Sequence, residues 1–90
     1  MQRIELDGRQ MDTRDQLHRY LQQQLTLPDY YGRNLDALQD CLGEMVEVEI
    51  TLEYAQAMLN SLGVYGQKLL QVFEREAASR GDFRFIQRQV

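Results

Sequence analysis

Three carboxylates recur one helical turn apart in this chain of 90 residues: Asp36, Asp40 and Glu44. At i,i+4 spacing on a helix they share one face. Paired carboxylates can act as general acid and base, but that work needs a cleft. A row of side chains on one exposed helix face makes a convex ridge instead. Such a face also offers too few convergent ligands for more than a loose metal site. The other reactive side chains are single copies, His18 and Cys41, and a Cys–His pair would have to bring these two together. Cys41 falls on an apolar helix face, where a small buried thiol is the ordinary reading. His18 reads as a surface or partly buried helical residue. The six glycines are scattered as turns and caps, with no phosphate-cradling pattern. The chain therefore reads as a non-enzyme that needs no cofactor.

The charge distribution points the same way. The formal net charge is −4, yet residues 34 to 67 alone hold six acids and no Lys or Arg. Those six are Asp36, Asp40, Glu44, Glu47, Glu49 and Glu53. The block is either a solvated helix face or an acidic docking surface for a basic partner. Nucleic acid and anionic membranes reward positive surface, so neither is expected as a direct partner. No apolar run approaches the ~20 residues of a membrane span. The first residues lack the apolar stretch of a signal peptide, and a lone cysteine forms no disulfide within the chain. A cytoplasmic protein of one domain, residues 1–90, is expected.

The elements that must position the carboxylates follow from periodicity. Ile4 and Leu6 alternate with polar neighbours, predicting a strand over about residues 2–6. Thr13 and Gln16 fit a capping box, and Leu17, Tyr20, Leu21 and Leu25 recur at helical spacing over about 13–25. Pro28 cannot extend that helix, so residues 28–33 form a loop with two adjacent tyrosines. Asn34 suits the N-cap of a second helix over about 35–42 or a little beyond. Val46, Val48, Ile50 and Leu52 alternate with Glu47, Glu49 and Thr51, predicting a strand over 46–52. A third helix carries Ala55, Met58, Leu59 and Leu62, with Gly63 at its C′ position. A fourth spans about 65–79, with Leu69, Leu70, Phe73 and Ala77 on one face. Phe83 and Phe85 mark a last strand. The order is β-α-α-β-α-α-β, and helical crossovers favour a parallel sheet.

On a helical wheel, Leu35, Ala37, Leu38, Cys41, Leu42 and Met45 share the apolar side of the second helix. Asp36, Gln39, Asp40, Gly43 and Glu44 share the other. Asp36 lies in the first turn, where the helix dipole favours an acid, but Glu44 lies near the end, where the dipole opposes it. Each of the two i,i+4 carboxylate pairs is unfavourable by about 0.2–0.5 kcal/mol. Local conflict of this kind is a mark of function.

Residues 27–42, LPDYYGRNLDALQDCL, resemble the signature region of the barstar family, intracellular inhibitors of barnase-type ribonucleases. Asp15-Gln16-Leu17-His18, Leu52-Glu53 and Leu70-Gln71-Val72-Phe73 extend the likeness over nearly the whole chain. The resemblance implies an α/β fold with a three-stranded parallel sheet packed with about four helices. It implies that the second helix and its preceding loop plug a ribonuclease active site. Tyr30, Asn34, Leu35, Asp36 and Asp40 match partner-contacting positions, while Tyr31 and Gly32 match the loop that sets the entry geometry. Gln39 and Met45 stand where the family carries tryptophans, and Gly43-Glu44 replaces a Thr-Gly pair. A further contact on the fourth helix falls on Glu76 or on Arg75, depending on the anchor chosen.

The resulting expectation is an inhibitor or immunity protein, as in toxin–antitoxin pairs, that binds a basic extracellular-type ribonuclease one to one. Its expected contacts are Tyr30, Asn34, Leu35, Asp36, Gln39, Asp40, Gly43, Glu44 and Glu76, with Tyr30 and Tyr31 adding contact area at the rim. Two other readings use the same residues: a module for a basic partner that is not a ribonuclease, such as another toxin domain, and a structural subunit whose acids are merely solvated.

Overall fold

A computed structural model describes residues 1–88. Three strands, β1 (Gln2–Asp7), β2 (Val48–Glu53) and β3 (Phe83–Arg88), form a parallel sheet in the order β1-β2-β3. A 3-10 turn, Gly8–Gln10, and helices α1 (Arg14–Gln24) and α2 (Leu35–Glu44) connect β1 to β2; α3 (Ala55–Leu62) and α4 (Val64–Ser79) connect β2 to β3. The expected order and parallel sheet are both present. Thr13 caps α1, accepting from the Gln16 N–H at 3.1 Å. The returning Gln16 side chain accepts from the Asp12 N–H, one residue earlier than a capping box requires.

The register gives the sheet two unlike faces. Ile4 lies beside Ile50, which lies beside Phe85; Leu6 lies beside Leu52. This face is buried with Leu17 and Leu21 of α1, Leu38 and Leu42 of α2, and Leu69 and Phe73 of α4 in one core. The opposite face carries Arg3, Glu49 and Arg84 in one row and Asp7, Glu53 and Arg88 in another. Arg3 approaches Glu49 at 3.6 Å. Thr51 is buried in the middle strand, between Glu5 and Ile86.

β2 begins two residues later than its alternation predicts. Val46 is 69% exposed, and Glu47 turns the chain at a φ of 50°. Period-two patterning continues across this turn because it records residue type, not backbone direction. Gly8 permits a close approach elsewhere: a Cβ there would lie 2.2 Å from the Tyr54 carbonyl oxygen at the end of β2.

Leu38 faces the core from the middle of α2 and is fully buried. Leu38→Ala should destabilise the fold by about 2–5 kcal/mol in urea denaturation. A loss under ~1 kcal/mol would show that α2 is not anchored by this face.

Candidate functional site

α2 is held at both ends by residues outside it. At its start, the Asn34 side chain accepts from the Ala37 N–H at 2.7 Å and donates to the Gly32 carbonyl at 3.2 Å. The loop before it is pinned from beneath. The Pro28 carbonyl accepts from the Tyr31 N–H at 3.0 Å and from the Gln22 side chain at 2.9 Å. The Tyr31 hydroxyl lies 2.7 Å from His18 Nδ1, and the Tyr65 hydroxyl lies 2.6 Å from His18 Nε2. His18 thus links the loop to α4.

This brace corrects two sequence readings. His18 is a buried bridge, not a surface or partly buried helical residue. Tyr31 is only 5% exposed and belongs to the core, not to a rim, whereas Tyr30 is 86% exposed. Anchoring one tyrosine turns its neighbour outward. The signal was a lone polar ring on the apolar side of α1, but its two partners lie 13 and 47 residues away.

The C-terminus of α2 has no base in its last turn. Arg80, just beyond α4, supplies one: its guanidinium donates to the carbonyls of Leu42 and Gly43 at 3.0 and 3.3 Å, and to that of Met45. Glu76 at 2.8 Å and Asp82 at 2.9 Å hold the guanidinium. Hydrogen bonds to Asp82 and Glu76 raise the Arg80 pKa further, and the same contact with Arg80 lowers that of Asp82. Of the residues expected to meet a partner, Glu76 is thus engaged within the chain, and Arg75 is exposed. Arg80 was missed because it lies 35 to 38 residues from the carbonyls it serves.

Between these fixed ends, Asp36, Gln39, Asp40, Gly43 and Glu44 lie exposed on α2, and Leu35 is half-buried. A Cβ at Gly43 would meet nothing within 4 Å, so the surface there is open. Tyr30, Asp40 and Glu44 border a cleft of about 290 Å³ between the loop and α2, with Cys41 in its wall. Burial, then the charges of Glu44 and Asp40, raise the Cys41 pKa and keep its thiol protonated. That suits an inert side chain rather than a nucleophile. Among the described residues, no group of three or more His, Cys, Asp or Glu side chains is placed to hold a metal ion, and no helix is long and apolar enough to cross a membrane. Chemically, the arrangement offers acceptors and negative charge on a rigid support.

Comparison with known proteins places the chain in a family. Residues 1–88 match the family described as barstar (barnase inhibitor). A Bacillus subtilis (strain 168) protein named "Putative ribonuclease inhibitor YrdF" is 38% identical over 89 residues, covering 96% of this chain and 98% of that protein.

The exposed ridge of α2 and its capped end should respond oppositely to mutation. Asp40→Ala relieves repulsion from Asp36 and Glu44 and should leave stability unchanged or raise it by a few tenths of a kcal/mol. Arg80→Ala removes the cation from the helix end and should lower the urea midpoint. Equal losses in both variants would contradict the division into an exposed ridge and a capped end.

The His18 pKa is lowered, by burial first and by the Arg33 charge second. The unfolded chain therefore binds this proton more readily than the folded one. The imidazole's contribution to stability is full above the ordinary value of 6.5 and should diminish as pH falls below it. Carboxylates held by arginine, Asp7 and Asp82, contribute a separate loss at pH values below their ordinary 3.8. Urea midpoints measured against pH, with the His18 ring followed by NMR, check both windows. An imidazole titrating above 6.5 in the folded protein would reverse the first sign.

Proposed function

The chain belongs to the barstar family of barnase inhibitors, and from that premise we propose that it binds a basic ribonuclease one to one, laying α2 and the Tyr30 loop over the enzyme's active site. Members of this family are inhibitors, not enzymes. The observation that carries the reading is the exposed carboxylate row of α2 beside the outward Tyr30, both on a support fixed at each end. An enzyme that cleaves RNA presents cationic groups to a phosphate. Asp36 and Asp40 take those groups through charge-assisted hydrogen bonds in place of phosphate oxygens. Glu44 extends the same field, and Gln39 adds polar contact.

Tyr30 contributes rigid, amphipathic area at the edge of the cleft. Asn34 and Leu35 contribute at the helix start, where the cap fixes their position. Gly43 lets the partner approach the helix closely. Glu76 enters through Arg80, which it orients beneath the end of α2. Such a protein acts as an immunity factor in the cytoplasm, where the ribonuclease would otherwise harm its producer. Gln39, standing where the family carries a tryptophan, favours an enzyme whose facing surface differs from that of barnase.

Inhibition of RNA cleavage by a panel of barnase-type ribonucleases, barnase included, tests this reading. At least one should be inhibited stoichiometrically, with barnase itself inhibited weakly. Asp40→Ala should weaken the complex by about 2–5 kcal/mol, a range to which the barnase–barstar complex itself contributed. Association should slow as salt is added. Tight inhibition that survives Asp40→Ala, with an association rate indifferent to salt, would refute the proposed role of the acidic face.

A further inference from the structure

A second and larger cleft, of about 540 Å³, opens at the start of α2 and shares no lining residue with the Tyr30 groove. Its charge is opposite to that of the ridge. Arg14 of α1, Arg33 of the loop and Lys68 of α4 line it together. None of the three takes part in any ion pair found among the described residues. The Arg14 guanidinium lies over the Tyr65 ring at 4.3 Å, which leaves its N–H groups without a carboxylate. Asp15 shares the wall but is paired with Arg19 at 3.0 Å. Asp36 is the other carboxylate present.

With Asp15 held by Arg19, three cations from three separate segments face the cleft against one carboxylate, Asp36, leaving it a positive field. The Arg33 charge is close enough to oppose protonation of His18, and the Arg14 charge close enough to favour ionisation of Tyr65. Arg33 is therefore near His18 and Arg14 near Tyr65, two rings joined by a hydrogen bond. The first turns of α1, α2 and α4 also contribute to the cleft, through Arg14, Asp36 and Tyr65 respectively. The positive ends of their dipoles add to the field. The volume falls in the ordinary range for small-molecule sites.

We propose that the cleft between Arg14, Arg33 and Lys68 binds a phosphate group, free or carried by a small phosphorylated ligand. Asn34, Leu35 and Asp36, residues of the proposed ribonuclease-facing surface, also line the cleft, so an occupant would sit at the start of that surface. The proposal does not depend on which protein that surface binds.

The test is an amide NMR titration of the free, full chain with inorganic phosphate, against sodium chloride at matched ionic strength. A parallel series uses a nucleoside monophosphate. Phosphate should give saturable shifts at Arg14, Arg33 and Lys68 that chloride does not. Arg33→Gln and Lys68→Gln alter exposed side chains and should leave thermal unfolding unchanged while weakening phosphate binding about tenfold or more each. Asp36→Asn should tighten it. Tighter binding of the monophosphate than of phosphate would identify a phosphorylated small molecule as the occupant; equal binding would identify free phosphate. Shifts that match chloride, or phosphate binding indifferent to both Gln variants, would overturn the proposal. So would variants that alter only association with a ribonuclease, since the cleft would then serve a carboxylate of the partner.

Discussion

The last carbonyls of α2 require a cation that α2 does not carry. Its own final residue, Glu44, has the wrong sign for that end of a helix dipole. Arg80 supplies the charge from another element, and its planar fork reaches carbonyls on both sides of the turn into β2. Glu76 and Asp82 fix the fork. Asp82 also serves the next link, since its main-chain carbonyl accepts from the Val48 N–H at 2.9 Å. One guanidinium thus joins the end of the acidic helix, the end of α4 and the start of two adjacent strands. An acidic ridge with no internal compensation is tolerable because its support is provided from behind.

The start of α2 is solved differently. There the dipole favours an acid, and Asn34 satisfies the Ala37 amide of the first turn without a counter-charge. The difficulty is the loop, which must hold one tyrosine in and its neighbour out. The Tyr31–His18–Tyr65 bridge does this with neutral groups, and burial keeps the imidazole neutral. In the neutral ring one nitrogen donates and the other accepts, so the two hydroxyls take complementary roles. Charge is therefore confined to the outer surface of the site while its foundations are uncharged on one side and compensated on the other.

Where local chemistry decides structure, the fold and site were readable from the chain. The Asn34 cap, the division of α2 into Leu38 and Leu42 against Asp36 and Asp40, and the core side of each strand all follow from spacing. What depended on distant partners was not readable. Arg80 and the carbonyls it caps share no motif. His18 looks like any helical histidine until Tyr31 and Tyr65 are brought to it by the fold. Tyr30 and Tyr31 are the same residue type in consecutive positions, so only a tertiary contact could separate their fates. Val46 continued the β2 alternation because a left-handed residue at Glu47 leaves no trace in hydropathy.

The sheet's outer face has a consequence for behaviour at high concentration. Parallel sheets are usually covered on both faces, but here Arg3, Arg84 and Arg88 lie exposed around a middle strand whose Glu49 and Glu53 are half-buried, and the outer edges of β1 and β3 are free of other described strands. A bare edge is a template for lateral strand addition between molecules, and charged residues on edge strands are a common safeguard. Arg3 and Glu5 guard one side and Arg84 and Arg88 the other. Exposed charges on both outer strands thus work against edge-to-edge stacking of neighbouring molecules.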